Sequence, residues 1–133
     1  MTLAASWPRR FQHFSDLEMR CKCGCGSLPD PAFMAWLEQV RQVYGKPMVV
    51  TSGARCEAHN RAVGGEQNSA HCEGMAVDIA IRGAEAMQLV HAALISHVQG
   101  IGLKQHGADR FVHLDRAVPI EGIRPRPWIF TYP

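Results

Sequence analysis

The sequence predicts an α+β fold, a small antiparallel sheet of about four strands packed with helices, within a single domain spanning residues 1–133. Two observations predict it. Two long stretches carry apolar residues at helical spacing, and several short ones carry β-branched or alternating apolar residues that end at glycines or polar turns. A third sets the scale: with 47% hydrophobic and 20% charged residues, a chain of 133 buries a core without a disulfide or metal to hold it.

The elements follow in order. In "FSDLEM", Ser15 is an N-cap with Glu18 three residues on, and Phe14 can pack against Met19, so a short helix begins there. "CGCGSL" breaks the chain. "DPAFMAWLEQVRQVYG" starts a longer helix with Asp30 as cap, Pro31 in the first turn and Gly45 as stop, and Phe33, Leu37, Val40 and Tyr44 form its inner face. "KPMVVTSG", residues 46–53, reads as a strand running into a loop, and "CEAHNRAV" as a helical turn. "GMAVDIAI" alternates Met75, Val77, Ile79 and Ile81 on one face with Ala76, Asp78 and Ala80 on the other. The aliphatic face belongs to the core, and the small residues flanking Asp78 leave space beside its carboxylate. "GAEAMQLVHAALISHVQG" is an amphipathic helix whose predicted inner stripe is Met87, Val90, Leu94 and His97 or Val98. "GIGL" and "DRFVHLD" read as two further strands, the second placing Phe111, His113 and Asp115 on one face, with Asp109 in phase.

The formal charge is +2, from 14 basic and 12 acidic residues, too balanced for a protein that lives on phosphate contacts; no nucleic-acid partner is expected. No apolar run approaches the roughly 20 residues of a membrane span, and "MTLAASWPRRFQHF" lacks a signal-peptide pattern. The five cysteines, Cys21, Cys23, Cys25, Cys56 and Cys72, are odd in number. The alternating spacing of "CKCGC" differs from the usual zinc gap, so reduced thiols or one disulfide to Cys56 are expected there.

His71, Asp78 and His113 match a catalytic zinc centre, which takes three protein ligands from imidazole and carboxylate and leaves a position open. They converge if the strands bearing Asp78 and His113 are sheet neighbours. Two imidazoles and one carboxylate favour Zn2+ over other divalent ions. His59, His91, His97 and His106 lack such a context; His91 and His97 sit in a helix, and His106 in a loop near the last motif.

"TSGARCEAHNRAVGGEQNSAHCEGMAVDIAI", followed by "GIGL" and "FVHLD", resembles the zinc D-alanyl-D-alanine carboxypeptidase and murein endopeptidase family, which shares its metal site with the hedgehog signalling domain. The "CGCG" element is similar to that of a short phage and bacterial branch. The resemblance, carried by S-x-H, G-x-A-x-D and H-x-D in order, runs from about Phe14 to about Asp115. It implies a hedgehog-like fold, His71, Asp78 and His113 as zinc ligands, and hydrolysis of peptide bonds in peptidoglycan stem peptides or cross-links. It also implies Arg55, after "TSG", as the group holding a peptide carboxylate or developing oxyanion. Many relatives carry an acid three residues before the last ligand; here Arg110 stands there. Asp109 is the first substitute as general base and Asp115 the second, with Glu73 as a further loop acid. Asp109 is otherwise a turn residue, and Asp115 a partner that orients a ligand histidine. The alternative is a zinc-binding structural or virion protein without turnover. The expected setting is a monomer made in the cytoplasm that meets the cell wall after release or within a virion.

Overall fold

The computed structural model describes Trp7 and residues 11–133. The segment without a signal-peptide pattern thus lies, up to residue 10 and apart from Trp7, outside the described residues. From residue 11 onward, the described residues form four helices and five strands in the order α1 (Asp16–Met19), α2 (Pro31–Tyr44), β1 (Val49–Ser52), α3 (Glu57–Ala62), β2 (Ala76–Ala80), α4 (Gly83–Ile95), β3 (Gly100–Lys104), β4 (Phe111–Asp115) and β5 (Trp128–Thr131).

Local chemistry sets the helix ends. Ser15 and Glu18 exchange the reciprocal bonds of a capping box at α1, Ser15 Oγ accepting from Glu18 N at 3.1 Å and Glu18 Oε1 from Ser15 N at 2.7 Å. At α2 the Asp30 carboxylate accepts from Ala32 N at 2.8 Å, and Gly45 ends the helix at φ 80, in the left-handed region where glycine carries no Cβ penalty.

The strands form one sheet in the order β1-β2-β4-β3-β5, antiparallel except for the parallel β3–β5 edge. The α+β class and the strands at 49–52, 76–80, 100–104 and 111–115 agree with the sequence reading. The fifth strand corrects it. "WIFTY" carries the aromatic and β-branched residues of a strand, a signal that the sequence reading did not use.

Val77, Ile79, Val112 and Leu114 turn to the helices and are buried with Phe33, Leu37, Val40, Leu89 and Ala93. The stripe predicted on α4 is corrected here. Met87 and Leu94 are 77% and 57% exposed, His97 is exposed too, and Ala86, Leu89, Ala92, Ala93 and Val98 face inward. The helix is apolar nearly all round, so periodicity alone left its phase open. The small residues win because α4 packs closely on α2, where Trp36 Nε1 donates to Ser96 O at 2.6 Å.

On the opposite face, Gly100 and Gly102 are required by space. A Cβ at Gly100 would meet the Asp115 carboxylate, and one at Gly102 the rings of Phe130 and Tyr132. The Asp115 carboxylate is held by three partners and cannot retreat. Gly100→Ala is therefore expected to destabilise the fold by about 1–3 kcal/mol, as overpacking of a filled interior does. An unchanged urea midpoint would show that the carboxylate can yield.

Candidate metal centre and cleft

The sheet register brings Asp78 and His113 together as direct partners across β2 and β4. His71 comes from the turn that precedes β2, and its backbone is clamped to the end of β1. Arg55 N donates to His71 O at 3.1 Å, while His71 Nδ1 meets Gly53 O at 2.7 Å. Gly53 itself lies against the α1 backbone, where a Cβ would strike Met19 O, and Ala54 N donates to that oxygen at 2.9 Å. The glycine of "TSG" thus lets the strand end dock on α1 while its carbonyl aims at the histidine.

All three side chains are buried, and their ligating atoms lie within 4.8 Å of one another. His71 Nε2 stands 3.2 Å and His113 Nδ1 3.0 Å from Asp78 Oδ1. A carbonyl can only accept, so Gly53 O fixes the proton of His71 on Nδ1. Asp115 Oδ2, 2.7 Å from His113 Nε2, likewise fixes the proton of the second ring on that nitrogen. Both remaining lone pairs therefore point at a carboxylate. With both rings neutral, three acceptors meet without a donor, and a cation, whether a proton or a metal, resolves that conflict. The spacings are near the about 3.4 Å expected between ligands bound tetrahedrally at about 2.0–2.1 Å. The residues therefore fit a zinc ion, held by His71 Nε2, Asp78 Oδ1 and His113 Nδ1.

The electrostatics agree with a site built for positive charge. Burial opposes ionisation of Asp78, yet hydrogen bonds to His113 and His71 outweigh it and hold the carboxyl well below its usual range. Burial likewise disfavours a charged His113, but Asp115 and Asp78 draw its affinity for a proton upward. A proton on His113 therefore competes with a metal for this group.

Asp115 is fully enclosed, with its oxygens engaged by His113, by Ala117 N at 3.1 Å and by Arg126 through two bonds of 3.0 and 2.9 Å. Of its two readings, the orienting one agrees with this geometry, and the reading as proton acceptor is corrected, because no lone pair faces a cleft. Burial resists its charge, but His113 and Arg126 prevail and hold the carboxyl down at about 2. Asp109 is also not brought to the group. It lies beyond Phe111, the residue opposite Ala80, in the exposed β3–β4 turn, and the expected fold-back of that turn does not occur. Arg110 beside it donates to Gly107 O at 3.0 Å. His106 is exposed in the same turn, and His91 and His97 are exposed on the α4 side.

Arg55 does reach the group. Its Nη2 is 3.5 Å from Asp78 Oδ2, and Ser52 Oγ and Asn60 Oδ1 accept from its Nε and Nη1 at 3.1 and 3.2 Å. A cleft of about 440 Å³ opens beside it, lined by Ser27 and Leu28 on one wall and by Arg55, His71, Cys72 and Glu73 on the other. Glu73 Oε1 accepts from Arg124 Nη2 at 3.0 Å, and the carboxylate remains partly exposed to the cleft.

Sequence reasoning missed the C-terminal segment altogether. Arg126 clamps Asp115, the Phe130 ring lies 5.3 Å from that of His113, and Tyr132 stands within range of the Asp78 and Arg55 charges. Burial first, and then the charge of Asp78, keeps the Tyr132 phenol protonated. The strand signal in "WIFTY" was the one available clue. Removing Arg126 would strand a buried carboxylate. Arg126→Ala is expected to cost about 3–5 kcal/mol in urea unfolding of chelator-treated protein, the usual result of breaking a buried ion pair from one side. A loss below about 1 kcal/mol, the range of an exposed pair, would mean that solvent reaches Asp115.

No curated protein sequence matches this chain. The family described as Peptidase M15 matches residues 12–115, which contain the metal-centre triad, Arg55 and the cysteine-bearing loop. With that match extending over most of its length, the chain belongs to the peptidase M15 family of zinc D-alanyl-D-alanine carboxypeptidases and murein endopeptidases.

Proposed function

We propose that this protein is a zinc peptidase that hydrolyses peptide bonds in peptidoglycan stem peptides or their cross-links. The observation that carries the reading is the convergence of three acceptor atoms, tautomers fixed from behind, beside a cleft that also presents Arg55. Zinc in this setting supplies Lewis acidity toward water and toward a peptide carbonyl.

The chain's own residues supply the rest. Gly53 O and Asp115 hold the two imidazoles in the orientation that the donor set needs. Arg55, fixed by Ser52 and Asn60, offers a rigid fork to the carbonyl oxygen as it becomes an oxyanion, or to the terminal carboxylate of a stem peptide. Glu73 is the cleft carboxylate nearest in sequence to a ligand, and its oxygen not engaged by Arg124 accepts the proton of the attacking water. The same oxygen returns that proton to the amine as the C–N bond breaks. Asp30, the other acid lining the cleft, is occupied in capping α2.

A second reading, zinc binding without turnover, is favoured by one observation: Arg110 occupies the position where relatives carry an acid, and its neighbour Asp109 faces solvent. Mass spectrometry of muropeptides incubated with zinc-loaded protein decides between them. Hydrolysis is expected, with loss of a terminal residue or of a cross-link, abolished by chelation and in His71→Ala. Intact muropeptides under every condition would leave the second reading standing.

Within an active protein, Glu73→Gln is expected to lower turnover roughly a hundred- to ten-thousandfold with zinc retained, while Asp109→Asn stays near wild type. The reverse pattern would return the role to Asp109. Arg55→Lys keeps the charge and loses the fork, so turnover should fall by roughly a hundredfold with the melting temperature nearly unchanged. A large drop in melting temperature would instead make Arg55 a structural residue.

A further inference from the structure

We propose that Cys21, Cys23, Cys25 and Cys56 bind a second zinc ion, a structural one that ties the N-terminal loop to the strand end bearing Arg55. The spacing within "CKCGC" argues against such a site, but the fold overrides the spacing. In an extended strand Cys21 and Cys25 would be about 13 Å apart. Here Gly24 and Gly26, at φ 86 and 88, curl the chain through the left-handed region, and Cys21 N donates to Ser27 O at 2.9 Å to close the loop. Cys56, from the far side of β1, supplies the fourth sulfur.

The sulfur positions match the ion. All four lie within 4.8 Å of one another, with Cys21–Cys23 at 3.4 Å, Cys23–Cys56 at 3.6 Å and Cys21–Cys56 at 3.9 Å. A tetrahedron with zinc–sulfur bonds of about 2.3 Å has edges of about 3.8 Å. A disulfide needs about 2.05 Å, and all five cysteines are free thiols. A single disulfide to Cys56 would also leave two sulfurs gathered for no purpose. Hydrophobic packing does not explain the gathering either, since Cys23 and Cys25 are exposed.

Two backbone amides donate to the sulfurs. Cys56 N donates to Cys21 Sγ and His59 N to Cys56 Sγ, both at 3.4 Å. Four soft sulfur ligands select zinc or iron over magnesium and calcium, and a closed tetrahedral set without an open position is the structural type. The two segments joined are the walls of the cleft: Ser27 and Leu28 follow the loop cysteines, and Arg55 precedes Cys56. The ion would tie the two walls of the cleft together through Cys56, which lines it beside Arg55.

The test counts metal in the full chain, purified under reducing conditions with zinc supplied and then desalted. Wild type is expected to retain two zinc ions per chain. His71→Ala and Cys25→Ser should each retain one, and the double variant none; Cys25 is exposed, so its replacement should spare the core. Cobalt substituted for zinc identifies the ligands: intense thiolate-to-cobalt charge-transfer absorption should persist in His71→Ala and vanish in Cys25→Ser. One zinc per wild-type chain, lost in His71→Ala and without thiolate absorption on cobalt loading, would overturn the site. Iron retained at the cysteines would overturn the assignment to zinc. Because these readouts are stoichiometry and absorption, they stand or fall apart from peptide hydrolysis.

Discussion

The pairing of β2 with β4 is the constraint on which the rest depends. Side chains alternate along a strand, so the register that sets Asp78 opposite His113 also sets Val77 opposite Leu114 and Ile79 opposite Val112. One face of the pair is then wholly aliphatic, and the other holds a carboxylate beside an imidazole. A slip of one residue would drive Asp78 into the helix-packed core and expose the aliphatic residues. The free energy that buries the core therefore also holds the polar group in register. The site needs no separate device to bring its central residues together.

Burying that polar face creates an obligation that the neighbouring elements meet in layers. Asp78 faces the lone pairs of two histidines; His71 is oriented by a backbone carbonyl, and His113 by Asp115. Asp115 in turn carries a charge in a fully enclosed position, and Arg126 neutralises it with a bidentate pair. Gly100 makes the space for that carboxylate, and Gly102 the space for Phe130 and Tyr132. The strand that brings these C-terminal residues pairs in parallel with β3, outside the segment matched by the family. The centre is thus supported from a part of the chain that the family motifs do not reach.

The cleft is shaped from the other end of the molecule. The "CGCG" loop and the residues after it form one wall, and the turn after β1 forms the other, with Arg55 held against Ser52 and Asn60. Those walls are loops, from which Leu28 packs on the core and Ala54 is buried. Asp30 N donates to Gly74 O across them at 2.9 Å, Ala54 N donates to Met19 O at 2.9 Å, and the four sulfurs gather between. Position in the cleft therefore rests largely on loop hydrogen bonds, whereas the sheet behind it is held by hydrophobic burial.

The helix caps at Ser15 and Asp30 and the alternation of "GMAVDIAI" are local patterns, and the sequence by itself determined them. Each depends on residues a few positions apart, and the physics of capping and pleating acts at that range. What the tertiary structure decided lay between distant segments. The phase of α4 was open because Met87 and Leu94 are as apolar as Leu89, and only the close approach of α2 selects the alanine-bearing face. The two aspartates near His113 were equal in strand phase, and only the Arg126 clamp and the outward β3–β4 turn separate them. The gathering of four of the cysteines, all of them free thiols as one of the two expectations had it, was out of the sequence's reach for the same reason. Ligand spacing along a chain reports a site only when the chain stays regular, and here two left-handed glycines and a residue from beyond β1 bring the sulfurs together, since geometry in space, not order in sequence, is what a coordinating cation reads.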